Sequence, residues 1–223
     1  PPPKSKKRLP RIKILFEDEH IIVLNKQAGL LSVATDKLEP DTLHSRCVEY
    51  LKSNNEKAWA YIVHRLDRET SGVMILSKDE RHKNYLQEQF ANREIHRTYH
   101  ALVEGKPTKT AGTIHEWLVE DKFLRVKVTS KRTPNAKEAI THWNIEDSDG
   151  TASLIHLTIE TGRRHQIRVG LANLGNPVIG DEQHGAKGNP LGRIALHATA
   201  LELLHPETDD PIRFEAPIPF GPE

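Results

Sequence analysis

The sequence predicts an α+β protein in which a mostly antiparallel sheet is accompanied by a few helices. The main observation is a series of apolar, β-branched segments between residues 95 and 159, separated by glycine, Asp-Gly or Lys-Arg-Thr-Pro turns. The second observation is that three other stretches carry apolar residues at helical spacing. Strands joined by short turns pair antiparallel, so the two observations together indicate the α+β class.

The first half of the chain predicts a hairpin, a helix, two buried strands and a second helix. Residues 12–16 and 21–24 form the predicted hairpin around an acidic turn. Asp41 is the predicted N-cap of the first helix, whose apolar positions at helical spacing are Leu43, Cys47, Val48 and Leu51. Short apolar runs at 60–63 and 73–76 indicate buried strands. The second helix spans 79–93, with one face formed by His82, Leu86 and Phe90.

The second half of the chain predicts five strands and one helix. The strands are expected at 99–103, 113–119, 124–128, 139–145 and 154–159. Thr161-Gly162 ends the last of these strands, and residues 164–174 then show helical spacing. That helix places Arg164 and Arg168 on one face. Its apolar residues Ile167, Leu171 and Leu174 are expected to face the core.

The composition fits a globular protein with one domain. The chain has 223 residues, of which 36% are hydrophobic, and a mean hydropathy of −0.59. No apolar run approaches the roughly 20 residues that span a bilayer, so no membrane segment is expected. Residues 1–10, a Pro- and Lys-rich basic tail, are expected to be disordered, which leaves 11–223 as the single domain. The only cysteine, Cys47, cannot form an internal disulfide, and this fits the reducing cytoplasm.

The charge balance shows that the protein as a whole is not a polycation. The 32 basic and 31 acidic residues give a formal net charge of +1, so any nucleic-acid site must arise from local sorting of charges. Such sorting is visible in four residues that fall within six positions, Arg163, Arg164, His165 and Arg168. This cluster is a candidate phosphate-binding patch.

The most informative segment, residues 64–72, is His-Arg-Leu-Asp-Arg-Glu-Thr-Ser-Gly. Its aspartate, Asp67, lies between Arg65 and Arg68, and nearby cations favour a charged carboxylate that can serve as nucleophile or base. The simpler alternative is a surface loop whose charges are solvated or paired. The flanking apolar runs place Asp67 in a connection between two core strands, where catalytic residues are often found, and Gly72 allows the tight turn there.

Residues 64–72 resemble the signature of the RluA family of RNA pseudouridine synthases, in which the aspartate is the essential catalytic residue. Residues 97–105 are similar to the tyrosine-bearing strand of the same family. Residues 161–169, together with Gly-Asn-Pro at 175–177 and Ile-Gly-Asp at 179–181, are similar to its second long signature. The pattern from Leu196 to Pro217 is similar to its C-terminal part, so the resemblance covers nearly the whole chain in order.

The resemblance implies the pseudouridine synthase fold, with a curved, mostly antiparallel mixed central sheet flanked by helices and an active-site cleft across its middle. It implies that the catalytic residues are Asp67, Tyr99 and Arg168. Arg168 is expected to pair with Asp67, and Tyr99 to stack on the uracil and help remove the C5 proton. The alternative for Tyr99 is an ordinary half-buried strand tyrosine. The residues expected to bind RNA or substrate are Arg65, Leu66, Arg68, Thr70, Arg163, Arg164, His165, Gln166 and Leu196.

Three features differ from that family. Residues 26–29, Lys-Gln-Ala-Gly, lack the proline that the family carries after its first long strand. His184 stands where a tyrosine is expected, and no room precedes Arg11 for the S4-type RNA-binding domain that many relatives have. The chain is therefore expected to be a member with only a catalytic domain, at 11–223.

The expected activity is isomerisation of uridine to pseudouridine in structured RNA, such as a ribosomal or transfer RNA stem-loop. The protein is expected to be a monomer without a cofactor, a metal or an obligate protein partner. Histidine spacing argues against a metal, because His96 and His100 lie about 13 Å apart on a strand and His115 has no second histidine three residues on. The main alternative is a catalytically silent RNA-binding module of the same fold. A sugar-processing hydrolase is a third, but it lacks an evident second acid.

Overall fold

The computed structural model describes residues 11–221, and within that range eleven strands form one sheet with three α-helices. The strands are β1 (Ile14–Glu17), β2 (Ile21–Lys26), β3 (Tyr61–Ile62), β4 (Ser71–Ser77), β5 (His96–Glu104), β6 (Ala111–Glu120), β7 (Val126–Thr129), β8 (Lys137–Ser148), β9 (Ala152–Ile159), β10 (Leu196–Leu204) and β11 (Pro211–Glu215). The helices are α1 (Leu43–Lys52), α2 (Glu80–Ala91) and α3 (Gln166–Asn173), and a 3-10 turn covers Glu182–His184. The tail at 1–10, expected to be disordered, lies outside the described residues.

The sheet is mixed, and nearly all of its strand pairs are antiparallel. Its main order is β1-β2-β4-β10-β5-β9-β8-β6-β7, while β3 pairs with β4 and β11 pairs with β10. Among the described residues only β4 and β10 run parallel, with Ser71 opposite His197 and Gly72 opposite Ala198. This arrangement confirms the predicted α+β class and the mostly antiparallel, mixed sheet.

Alternating side chains of β2 and β4 build one core on each face of the sheet. Ile22 and Met74 pack with Leu43 of α1 on one face, whereas Ile75 packs with Leu86 of α2 on the other. Because successive side chains of a strand point to opposite faces, β4 is buried along its whole length. Each such apolar side chain contributes about 1.5–3 kcal/mol when it is fully buried.

The other half of the sheet is covered by α3. Buried and half-buried positions alternate along β9, and its buried residues Ile155 and Leu157 pack with Ile167 and Leu171 of α3. A helix of eight residues is marginal on its own, so packing against the sheet is what stabilises it. The sheet therefore determines where the start of α3 lies.

The N-cap of α1 is Thr42, and the prediction of Asp41 was wrong by one residue. The Thr42 hydroxyl accepts a hydrogen bond from the backbone N–H of Ser45, whose hydroxyl accepts one from the N–H of Thr42. Asp41 instead forms an ion pair with Arg46. The predicted helical spacing is confirmed, because the buried residues of α1 are Leu43, Cys47, Val48 and Leu51.

The start of α3 also differs from the prediction. The helix begins at Gln166, because His165 has a left-handed backbone conformation with φ of 55° and forms the N-cap. Arg164 therefore precedes the helix, and the prediction that Arg164 and Arg168 share a helical face was wrong. Leu174, the C-cap, is exposed and does not reach the core.

Several other element ends differ from the prediction by one to three residues, and two of them have a clear backbone cause. β7 begins at Val126, since Leu124 lies in the turn after β6 with φ of 61°. α2, predicted to span 79–93, runs from Glu80 to Ala91 with Asp79 as its N-cap, and it ends before Arg93, whose φ is 56°. In both cases a single backbone conformation at the end of an element sets the boundary.

No helix within residues 11–221 is long and apolar enough to cross a membrane. Cys47 lies on the buried face of α1 and makes no disulfide. The cytoplasmic location inferred from the single cysteine stays a prediction, and so does the monomeric state.

Gly72 marks the closest approach of β4 to β10. Its φ is +122°, and a Cβ there would lie 2.1 Å from the backbone oxygen of Ala198. We expect Gly72→Ala to lower the free energy of unfolding by about 2–4 kcal/mol, because one strand must move. Urea unfolding followed by circular dichroism measures this change. Gly188→Ala is the control, because a Cβ at Gly188 meets no atom within 4 Å. If Gly72→Ala is as stable as Gly188→Ala, the close packing of Gly72 against Ala198 is contradicted.

Candidate active site

A cleft of about 380 Å³ lies where the connection before β4 meets β5, the start of α3 and the start of β10. Every residue predicted for the site lines this cleft except Arg68, whose side chain is exposed outside it. The lining residues that the sequence analysis did not select are Arg97, Glu120, Ile159, Gly162 and Ile167. The structure thus brings together residues from five separate stretches of the sequence, 65–70, 97–99, 120, 159–168 and 196.

The end of β2 and the turn that follows it hold in place the connection that carries Asp67. The buried ammonium of Lys26 donates hydrogen bonds to the carbonyls of Leu30 at 2.6 Å and Arg68 at 3.0 Å. Burial lowers the pKa of Lys26 to about 7, although nearby carboxylates oppose this effect. Gly29, with φ of +88°, adds a backbone hydrogen bond to the Arg68 carbonyl at 2.8 Å. The turn therefore forms here without the proline of the family.

The residues just before Asp67 are fixed as well. Ser32 accepts a hydrogen bond from the N–H of Leu66 at 3.0 Å and donates one to its carbonyl at 2.6 Å. The Nε2 atom of His64 accepts a hydrogen bond from the N–H of Ile75 at 3.0 Å. Burial lowers the pKa of His64 to about 3, so the ring stays neutral and can act as this acceptor. The backbone on both sides of Asp67 is thereby held in place.

Asp67 itself keeps its carboxylate available. Within residues 11–221, the Asp67 carboxylate has no side-chain hydrogen bond and no ion pair, while its carbonyl closes a turn with the N–H of Thr70 at 3.1 Å. The residue is half-buried in the cleft wall. A charged group with no internal partner can interact with a bound ligand directly.

Arg168 does not form the predicted pair with Asp67. Its guanidinium, only 2% exposed, donates to both carboxylate oxygens of Asp181, at 2.9 and 2.8 Å. Its second ionic partner is Glu69, at 3.5 Å. Burial opposes the charged form of Arg168, but the hydrogen bonds and charge of Asp181, with smaller contributions from the charges of Glu69 and Asp67, outweigh it and raise the pKa. The predicted Arg168–Asp67 ion pair was wrong, because the guanidinium donates its hydrogen bonds to the fully buried Asp181 instead.

His165 connects this ion pair to the 3-10 turn. Arg168 Nη1 donates to His165 Nε2 at 3.1 Å, and His165 Nδ1 lies 3.1 Å from Nε2 of His184. Burial, reinforced by the charge of Arg168, lowers the pKa of His165 to about 4. His165 is therefore a neutral member of a hydrogen-bonded chain, and His184 occupies the position where the family has a tyrosine.

Tyr99 lies on β5, between Leu157 of β9 and Ala198 of β10. Its ring packs against two of the hydrophobic cores while it faces the cleft. Burial raises the pKa of Tyr99; the charge of Arg97 opposes this effect and that of Asp67 adds to it. At neutral pH the side chain is consequently an uncharged phenol beside Asp67.

Gln166 lines the cleft, but its polar atoms are occupied within the protein. Its Oε1 accepts hydrogen bonds from the hydroxyl of Thr161 at 2.7 Å and the N–H of Arg163 at 3.1 Å. Its Nε2 donates to the hydroxyl of Thr141 at 2.9 Å. Gln166 therefore holds the turn between β9 and α3 in shape.

Arginines give the cleft its positive charge. Arg65 and Arg164 are exposed at its edge, and Arg164 lies 3.9 Å from a carboxylate oxygen of Glu120. Arg163 is half-buried and donates to the carbonyl of Glu138 at 2.9 Å. Arg97 was missed, although it begins the recognised segment 97–105; its Nε is buried and has no hydrogen-bond partner within the described residues. These guanidinium groups suit phosphate oxygens.

The comparisons with known proteins agree with this site. Residues 20–173 match the family model described as RNA pseudouridylate synthase. The chain is 37% identical over 211 residues to the RNA pseudouridine synthase YhcT of Bacillus subtilis, covering 93% of this chain and 69% of that protein. It is 34% identical to the ribosomal large subunit pseudouridine synthase D of Xylella fastidiosa, over 93% of this chain and 66% of that protein. The solved structure of human RNA pseudouridylate synthase domain containing 4 superposes with a TM-score of 0.77 at 25% identity, covering 93% of this chain and 88% of that chain.

The chain therefore belongs to the RNA pseudouridine synthase family, in its RluA-like branch. Members of this family are isomerases that modify RNA. The resemblance of residues 64–72 to the family signature is thus confirmed at the level of the whole chain.

The Arg168–Asp181 pair generates a stability prediction. Arg168→Met leaves the carboxylate of Asp181 buried without a partner, so we expect the free energy of unfolding to fall by about 3–5 kcal/mol. The double variant Arg168→Met/Asp181→Leu is expected to recover much of this loss, because no buried charge remains. Urea unfolding measures both. Arg164→Met, an exposed change of the same type, is the control; a loss no larger than in this control contradicts the assigned pair.

Proposed function

We propose that the protein isomerises a uridine in structured RNA to pseudouridine, with Asp67 as the catalytic carboxylate. The observation that supports this most is that Asp67 lies in a cleft beside Tyr99 and, among residues 11–221, has no ion-pair partner. Arg168, which was predicted to pair with Asp67, already forms two hydrogen bonds with the carboxylate of Asp181. An unpaired anion inside a positively charged cleft suits a chemical role better than a binding role.

The reaction requires one carboxylate. It breaks the N1–C1′ bond, rotates the uracil and joins its C5 to C1′, after which C5 loses its proton and N1 gains one. Positive charge develops at C1′ as the N1–C1′ bond breaks, as in glycoside hydrolysis, and a carboxylate can stabilise or attack that carbon. It can alternatively remove a proton from the sugar. The departing uracil anion is stabilised by resonance, so no second acid is needed.

Tyr99 and Leu196 form the walls that hold the base. A tyrosine ring can stack on uracil, and Leu196, buried at the start of β10, supplies an apolar surface next to it. The raised pKa of Tyr99 keeps its hydroxyl protonated at neutral pH. This favours a stacking and hydrogen-bonding role for Tyr99 over the role of proton acceptor at C5.

The arginines at the edge of the cleft act on the RNA around the target base. A paired uridine cannot reach Asp67 inside a duplex, so the nucleotide must leave the stack. Arg65 is exposed beside Asp67 and can fill the space that the flipped nucleotide leaves. Arg163 and Arg164 lie on the other side of the cleft and can contact phosphates.

The proposed substrate is a ribosomal or transfer RNA stem-loop. A net charge of +1 gives weak long-range attraction to RNA, so recognition depends on contacts within the cleft. Flipping a uridine costs a few kcal/mol and costs least in a loop. Several relatives are named as synthases of the ribosomal large subunit, which favours ribosomal RNA within this class.

The role of Asp67 is tested with RNA tritiated at uridine C5, because isomerisation releases that label to water. Wild-type protein is expected to release tritium from ribosomal or transfer RNA and from an isolated stem-loop that carries the target uridine. Asp67→Asn is expected to release none, while its RNA affinity stays within about twofold, since the shape of the cleft is nearly unchanged. Filter binding measures the affinity.

The control for that experiment is Asp36→Asn, which removes the same charge from an exposed position outside the cleft lining. This variant is expected to keep wild-type turnover. Turnover by a clean Asp67→Asn preparation contradicts the catalytic assignment. RNA binding by the wild type with no tritium release from any of these RNAs supports the silent binding module instead.

The phosphate contacts predict a change in salt dependence. Arg164→Ala is expected to weaken binding to all RNAs alike and to reduce the slope of log affinity against log salt by about 1. Arg163→Ala is expected to do the same, with an added loss of stability from its bond to the Glu138 carbonyl. The control is Arg81→Ala on the exposed face of α2, outside the cleft. If the salt slopes of the Arg163 and Arg164 variants equal that of this control, neither arginine contacts the RNA.

A further inference from the structure

A second cluster of functional side chains lies at the end of the sheet away from the cleft. It consists of His20 in the β1–β2 turn, His82 in the first turn of α2 and Glu207 in the β10–β11 loop. One ligand atom from each lies within 4.8 Å of the other two, and residues 11–221 contain no other such group of three or more. β4 separates the cluster from the catalytic connection, since Ser71–Ser77 spans about 20 Å at 3.3 Å per residue.

His82 is oriented by a carboxylate on its far side. Asp79, the N-cap of α2, accepts hydrogen bonds from the backbone N–H and from Nδ1 of His82. Nε2 of His82 then points at Glu207, with a separation of 2.6 Å between Nε2 and Oε2. A histidine whose other nitrogen donates to a carboxylate is the usual arrangement of a metal-ligating histidine, because it fixes the tautomer and the ring direction.

The two other ligand segments are tied to each other by groups that are not ligands. Asp18 accepts hydrogen bonds from the backbone N–H of His20 at 2.7 Å and binds Nε2 of His205 at 2.6 Å. Nδ1 of His205 in turn accepts a hydrogen bond from the N–H of Glu207 at 3.1 Å. The β1–β2 turn and the β10–β11 loop are thus held together, while the His20 side chain makes no hydrogen bond within the described residues and the Glu207 carboxylate faces His82 Nε2.

We propose that His20, His82 and Glu207 bind one Zn²⁺ ion, with water in the fourth position. Two imidazoles and one carboxylate are a ligand set of zinc, and the imidazoles disfavour Mg²⁺ and Ca²⁺, which prefer oxygen. Tetrahedral zinc with bonds of about 2.0–2.1 Å needs ligand atoms about 3.3 Å apart. Shifts of about 1–1.5 Å bring the three atoms to that spacing, and the exposed Glu207 lies on a loop that can supply them.

The sequence analysis did not find this cluster because it tested ligands that are close together along the chain. His82 and Glu207 are 125 positions apart, and only the sheet brings them together. Bound zinc cross-links the first hairpin, α2 and the last hairpin of the described chain. Because zinc binds only the folded arrangement, it stabilises the protein, and its distance from Asp67 separates this effect from catalysis.

The test uses the full chain, stripped with EDTA, freed of chelator and titrated with zinc chloride near neutral pH. Isothermal titration calorimetry is expected to give one zinc ion per chain, and differential scanning fluorimetry to give a higher Tm. Magnesium chloride at the same concentration is expected to produce neither. His20→Gln is expected to weaken zinc binding by at least about 10–100-fold. The His20 side chain makes no hydrogen bond within the described residues, so this variant keeps the surrounding network.

The control is His115→Gln, which changes an exposed histidine that is bonded to Glu138 on the other half of the sheet. It is expected to bind zinc like the wild type, and tritium release from RNA is expected to be equal in wild type, His20→Gln and His115→Gln. The proposal is overturned if stripped wild-type protein shows no saturable zinc binding. It is also overturned if His20→Gln binds zinc as tightly as His115→Gln, which indicates adventitious sites on surface histidines.

Discussion

The parallel contact between β4 and β10 is the constraint on which the site depends. These two strands join the part of the sheet that carries α1 and α2 to the part that carries α3. Because Gly72 lies directly against Ala198, the connection that precedes β4 is brought beside Leu196. Ala198 also faces Tyr99 on the next strand, so the same register places the aromatic ring beside Asp67. Backbone pairing thus assembles the cleft.

Two buried basic side chains, Lys26 and Arg168, then leave the Asp67 carboxylate without an ion pair among the described residues. Lys26 directs its ammonium at backbone carbonyls, including that of Arg68, and so holds the connection without an ionic bond to Asp67. Arg168 is satisfied by Asp181, which is buried as deeply. Burying such a pair costs desolvation, and its net contribution to stability can be small. Within residues 11–221, the arrangement leaves the Asp67 carboxylate in the cleft without an ion pair, as the proposed catalytic role requires.

Most of the fold could be predicted, because strand alternation and helical spacing are local patterns. The errors lie where one residue decides a boundary: the Thr42 hydroxyl, not the Asp41 carboxylate, reaches the first turn of α1. Most of the cleft lining could also be predicted, since the recognised segments carry it. The partner of Arg168 could not, because Asp181 lies 13 positions away and only packing selects it over Asp67. The cluster of His20, His82 and Glu207 could not be predicted for the same reason.

The cleft presents a charge pattern that the fold fixes in advance. Its positive charge comes from guanidinium groups, which stay protonated. Burial keeps His64 and His165 neutral, with pKa values of about 3 and 4, and keeps Tyr99 an uncharged phenol. None of these groups changes charge between about pH 6 and 8. A net charge of only +1 gives weak long-range attraction to RNA, so the proposed substrate, a small and easily opened RNA loop, is one that short-range contacts in the cleft can hold.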